Sequence, residues 1–86
     1  MEILNLEAHV KQILTNRLGI PPGEIRTDAK LVDDLGMDSL DAIEFAIAAE
    51  RQFNVAISDE QVAKLVTVSD IVALVQRLAE EQRSPA

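Results

Sequence analysis

The chain has 86 residues, enough for one small domain, with hydrophobic residues at 48% and only two aromatics, Phe45 and Phe53. Eight basic residues against fifteen acidic ones give a net charge of −7, which repels phosphate backbones; with no Trp or Tyr to stack bases, nucleic acid is not an expected partner. Cysteine is absent, which excludes disulfides, thiolate metal sites and a cysteine nucleophile.

Ile3, Leu6, Val10, Ile13, Leu14 and Leu18 recur at helical spacing, which predicts a first helix over 3–18 with one apolar stripe. Neither a basic-then-apolar leader nor a run of membrane-spanning length is present, so a cytoplasmic chain without membrane insertion is expected. Gly19 and then Pro21-Pro22-Gly23 stop the helix. A long loop to Asp38 follows, of the length often kept for function, with Ile25, Leu31, Val32 and Leu35 expected to tether it to the core. Gly36 permits a tight turn ahead of Ser39.

A second helix is predicted over Ser39–Phe53, with Asp38 as its N-cap. The connector Asn54–Ile57 is the single extended candidate. Ser58-Asp59-Glu60-Gln61 reads as a capping box opening a short third helix to about Lys64 or Leu65. Thr67-Val68-Ser69-Asp70 is a looser form of the same signal and opens a last helix carrying Ile71, Val72, Leu74, Val75 and Leu78. The tail from about 80 to 86 is polar and expected to fray. The expected fold is all-α: a four-helix bundle with a short third helix and a long loop between the first and second, as a single domain over 1–86.

On a wheel of about 100° per residue, the second helix has two apolar sides. Ala42, Phe45, Ala46, Ala49 and Phe53 form the core side, and Leu40, Ile43 and Ile47 cluster nearly opposite, beside Glu44. So small a bundle cannot bury both. The second stripe is either a docking surface for an apolar groove with a basic rim or scattered surface hydrophobicity. The alanines of the core side fit either close helix approach or an interior that opens for a guest chain.

Ser39 stands at the mouth of this helix among Asp33, Asp34, Asp38, Asp41 and Glu44. Helix-start N–H groups favour a phosphate and the carboxylates oppose it, so a covalently attached phosphate is retained where a free one is not. The only histidine, His9, lies in the first helix with no link to Ser39, and no G-x-S-x-G elbow is present. Ser39 therefore reads as an attachment point or as a plain helix-start serine, and no catalytic residue is expected. The aspartates lack the spacing of a calcium loop and read as a solvated acidic patch, with no metal site.

The stretch LVDDLGMDSLDAIEF, with Asp38-Ser39-Leu40 after Asp34-Leu35-Gly36, resembles the signature of acyl carrier proteins and related phosphopantetheine-binding carriers. VKQILTNRLGI and ISDEQVAKLVTVSDIVALV resemble the same family's first and last two helices, so the likeness spans roughly 3–80. The resemblance implies that Ser39, flanked by Asp38 and Leu40, carries 4′-phosphopantetheine donated from coenzyme A by a phosphopantetheinyl transferase. The distal thiol then holds acyl groups as thioesters. It implies a non-catalytic, monomeric carrier serving acyl-loading and acyl-processing enzymes of fatty acid, polyketide or related lipid biosynthesis, through basic docking patches on those enzymes. The partner face carried over is Asp38, Leu40, Asp41, Ile43, Glu44 and Ile47. An acyl pocket between the second and fourth helices is expected near Phe45, Ala46, Ala49, Ile57, Leu65 and Leu74. Two features depart from the family pattern: Glu50-Arg51-Gln52 replaces a denser acidic run, and Ile57-Ser58-Asp59 lacks the usual proline. They fit a specialised carrier, and the less acidic helix end leaves open an aminoacyl or peptidyl carrier loaded by an adenylating ligase; a third reading, of another class, is an unmodified acidic helical adaptor.

Overall fold

The computed structural model describes residues 3–83, with side chains over 5–81. Four helices follow in order: α1 (Ile3–Leu18), α2 (Ser39–Phe53), α3 (Asp59–Ala63) and α4 (Val68–Arg83), with one 3₁₀ turn at Pro22–Glu24 in the long loop. The all-α bundle predicted from the sequence is the observed fold.

Each boundary has a local chemical cause. Gly19, at φ +71°, ends α1 in the left-handed region and its N–H donates to Thr15 O at 3.0 Å. Asn54, at φ 56°, ends α2 in the same way, with its N–H on Glu50 O. Ser58 and Gln61 form a reciprocal capping box at α3, as the sequence predicts. At α4 the box is complete rather than loose: Asp70 N donates to Thr67 Oγ1 at 3.2 Å, while Asp70 Oδ2 accepts from both Thr67 N and Val66 N at 3.0 Å. α4 runs to Arg83, past the point where fraying is expected; the end of the tail, 84–86, and the side chain of Ile3 lie outside the described residues.

The core is one cluster. α1 contributes Leu6, Val10, Ile13 and Leu14, α2 contributes Phe45, Ala49 and Phe53, and α4 contributes Val68, Ile71, Val72 and Val75. Leucine, isoleucine and valine do most of the filling, as an interior with two aromatics requires. Among the described residues no helix is long and apolar enough to cross a membrane.

The long loop is held to the bundle by backbone as well as side chains. Ile25 and Leu31 are buried and Leu35 is partly buried against the core, as expected. Ile20, Ala29 and Met37 join them. Val32 does not: it is 67% exposed. The chain from Lys30 makes a helical turn in which Asp34 and Leu35 N–H both donate to Lys30 O. Leu31 and Leu35, four apart, share its inner side and Val32 is turned out. Gly36, at φ +69°, closes this turn, and its N–H donates to Val32 O at 3.1 Å.

The extended pairing also lies elsewhere than expected. Asn54–Ile57 forms no strand, because its donors are taken locally: Val55 N by Glu50 O at 3.2 Å and Ile57 N by Glu50 Oε2 at 2.8 Å. An isolated antiparallel bridge instead joins Lys30 to Thr67. Leu31 N donates to Val66 O at 2.8 Å and Val68 N to Ala29 O at 3.1 Å. The segment leading to Ser39 is thereby fixed to the α3–α4 connector.

Candidate functional site

Ser39 is the first residue of α2 and is exposed. Its neighbours are organised by the cap. Asp41 N donates to Asp38 Oδ1 at 2.9 Å, and Asp38 N donates to Asp41 Oδ2 at 3.2 Å. Two carboxylates are thus positioned by backbone bonds on either side of the serine, at the positive end of the helix dipole. Among the described residues the N–H groups of Ser39 and Leu40 have no acceptor, so they remain available at the mouth of the helix.

Beside Ser39 opens a cleft of about 570 Å³, within the ~300–1,000 Å³ typical of small-ligand sites. Its lining includes the exposed Asp38, Ser39, Val32, Ile43 and Asp59; its apolar walls are Met37 and Leu31 from the loop, Ala42 and Phe45 from α2, Val62 and Ala63 from α3, then Leu65 and Ile71. Phe45 is 2% exposed and is the largest fully buried side chain of the fold.

The acyl-pocket residues named from the sequence divide. Phe45 and Leu65 line the cleft; Ala46, Ala49, Ile57 and Leu74 do not. Ala46, Ala49 and Leu74 are buried within the bundle, and Ile57 is half-buried in the connector. A wheel fixes the side of a helix but not the level along it. Ala46 and Ala49 are on the core side yet do not reach the cleft beside Ser39. The most extensive packing of α2 is against α1, and small residues on the core side of α2 permit a close approach of helices. Met37, Val62, Ala63 and Ile71 escaped the sequence reading as cleft residues. Leu31 was recognised as a tether and Ala42 as part of the core side; their nearness to Ser39 was the available signal.

The second stripe of α2 is open to solvent. Leu40 is 74% exposed, Ile43 47% and Ile47 48%. Asp38 and Glu44 are exposed and Asp41 is half-exposed. Of the six face residues named from the sequence, Leu40, Ile43, Glu44 and Ile47 share one side of α2, while Asp38 and Asp41 flank Ser39 at the helix mouth. His9 is far from it: His9 Nδ1 lies 3.2 Å from Gln52 Nε2 and its ring meets Phe53 edge-on at 6.2 Å. Those residues sit at the other end of α2, about 20 Å along the axis from Ser39 at 1.5 Å per residue. Among the described residues no group of three or more His, Asp or Glu side chains gathers to hold a metal ion.

A hydroxyl at a helix mouth, free N–H groups beside it and an apolar cleft below it fit a phosphate-linked arm with an apolar load. Comparison with known proteins agrees. A sequence model described as a phosphopantetheine attachment site matches residues 8–75. The acyl carrier protein of Akkermansia muciniphila is 36% identical over 74 residues, covering 86% of this chain and 92% of that one. That of Wolinella succinogenes is 39% identical over 67 residues, covering 78% and 88%. The crystal structure of an acyl carrier protein from Thermotoga maritima superposes with a TM-score of 0.83 at 28% identity, covering 95% of each chain. The chain belongs to the acyl carrier proteins, carriers rather than catalysts, whose prosthetic group is 4′-phosphopantetheine.

Proposed function

We propose that Ser39 is the attachment residue and that residues 1–86 act as a single, monomeric, cytoplasmic carrier domain. The observation that carries this reading is the position of the Ser39 hydroxyl, exposed at the first turn of α2 above the cleft. A phosphopantetheinyl transferase supplies coenzyme A and the base. Ser39 Oγ loses its proton and forms a phosphodiester, with departure of the nucleotide portion of coenzyme A. When bound, the arm supplies a thiol that holds acyl groups as thioesters. This chain's own residues do the rest. Asp38 and Asp41 fix the helix mouth, the free N–H groups of Ser39 and Leu40 face the phosphate, and the cleft shelters apolar cargo from water. The cleft, rather than the α2–α4 seam named from the sequence, is the proposed shelter.

Leu40, Ile43 and Ile47, with Asp38, Asp41 and Glu44, form the surface on which acyl-loading and acyl-processing enzymes dock, meeting the carboxylates with basic patches. Exposed apolar residues at helical spacing beside charge support weak, rapidly exchanging contact, which suits a shuttle. These enzymes are those of fatty acid, polyketide or related lipid biosynthesis.

Intact mass after incubation with coenzyme A and a broad-specificity phosphopantetheinyl transferase tests the assignment. The expected result is one phosphopantetheinyl addition to the wild type and none to Ser39→Ala. No addition to a folded wild type, or an addition that persists in Ser39→Ala, overturns it.

A further inference from the structure

The docking stripe of α2 does not end at Ile47. At about 100° per residue, Arg51 falls within roughly 40° of Leu40, Glu44 and Ile47, on the same side of the helix. It is exposed, as they are. Arg51 also lines a polar groove of about 590 Å³ between α1 and α2, together with Arg17, Gln12, Asn16 and Gln52.

The two arginines stand apart from the other six basic residues. Each of those has a carboxylate within four positions of it in sequence, and two of them use it: Lys11 pairs with Glu7 at 3.3 Å and Arg26 with Asp28 at 3.7 Å. Arg17 has no acidic residue within four positions. Arg51 has only Glu50, whose carboxylate is turned to Ile57 N at 2.8 Å. Among the described residues neither arginine forms an ion pair. In a chain of net charge −7, two cations line one groove that contains no carboxylate, a local positive patch that a complementary anion fits.

We propose, building on the docking role of α2 given above, that the docking face is bipolar. The partner is an acyl-processing enzyme that meets Asp41 and Glu44 with cations and, about 10 Å beyond Glu44 along the helix axis, meets Arg51 and Arg17 with a carboxylate. Arg51 lies in line with Glu44, so a uniformly basic patch long enough to cover the stripe is repelled at its far end. The groove thus selects among partners that the acidic end alone attracts equally. A second copy of this chain is a poorer occupant, since two bodies of charge −7 repel.

The test uses the holo protein and whichever enzyme, from a panel of acyl transferases, condensing enzymes and acyl ligases, gives the highest kcat/KM on it. Arg51→Glu and Arg17→Glu are each expected to lower kcat/KM about tenfold, carried by KM. Arg51→Lys is expected to stay within about twofold, as is Arg77→Glu, an equal charge change on α4. A charge reversal of the facing Asp or Glu on the enzyme is expected to restore Arg51→Glu. Equal behaviour of Arg51→Glu and Arg77→Glu overturns the inference, and so does a gain in kcat/KM for Arg51→Glu, the mark of an all-basic partner. A wild-type dimer in sedimentation that Arg51→Glu dissociates overturns it in favour of self-association. A folded chain that never gains the arm overturns both this inference and the Ser39 assignment, whereas a holo chain indifferent to Arg51 overturns this inference alone.

Discussion

Asp38 and Asp41 hold each other's backbone across Ser39, each carboxylate accepting the other residue's N–H, at 2.9 Å and 3.2 Å. The pair is therefore structural as well as electrostatic, and the two roles separate by substitution. Asp38→Ala removes an N-cap and is expected to cost about 1 kcal/mol in urea unfolding, whereas Asp38→Asn keeps a capping oxygen and costs a few tenths. Amide exchange at Asp41 is expected to quicken in the alanine variant only. Docking to a basic partner is expected to weaken in both, because both lose the charge.

This cap was legible in the sequence because capping is local. Asp38 reads as an N-cap, and Ser58 with Gln61 and Thr67 with Asp70 read as boxes three residues apart; the reciprocal bond from Asp38 N to Asp41 is not part of that reading. The two sides of α2 were legible for the same reason: helical period fixes which residues share a side, and Leu40 and Phe45 lie where the wheel puts them. The level of the cleft was not legible. It depends on where α3 crosses α2, and α3 is placed by backbone bonds between the loop and its connector, Leu31 to Val66 and Val68 to Ala29, which carry no side-chain signature. Val32 was misplaced because a tight turn, not an extended tether, precedes Gly36.

Glu50 is a latch on the connector. Its carboxylate accepts from Ile57 N at 2.8 Å in a partly buried position, seven residues away. Glu50→Ala is expected to destabilise the fold by about 1–2 kcal/mol, since it strips a charged acceptor from a half-buried N–H. Glu50→Gln retains an acceptor oxygen and is expected to lose less. Hydrogen exchange at Ile57 reads the effect directly: protection there should fall more than at Val55, whose N–H bonds the Glu50 main chain.

Gly36 is constrained by backbone conformation and not by space. Its φ is +69°, and a Cβ built on it meets nothing within 4 Å. Gly36→Ala is therefore expected to cost about 1 kcal/mol, the left-handed penalty without a clash. Gly36→Asn is expected to cost less, because asparagine tolerates that region. A thermal melt of the three proteins gives the order glycine, asparagine, alanine; a loss in alanine several times larger would mean that the turn ahead of Ser39 is more crowded than its geometry indicates.

The location of sheltered cargo follows from which residues line the cleft. Ala42 lies on its wall, one turn from Ser39, whereas Leu74 is buried in the bundle away from it. Ala42→Leu is expected to fill the upper cleft and expel part of an acyl chain. Displacing about two methylenes costs roughly 1.6 kcal/mol, which raises the solvent-exposed population, and with it thioester hydrolysis, about tenfold. Leu74→Val removes one methylene from the α2–α4 seam and is expected to leave hydrolysis unchanged while lowering stability by about 1 kcal/mol. Hydrolysis of a medium-chain acyl thioester at mildly alkaline pH, followed by intact mass, compares the two. The reverse pattern, with Leu74→Val accelerating loss and Ala42→Leu silent, would move the cargo into the seam between α2 and α4 and leave the cleft at Ser39 to the arm alone.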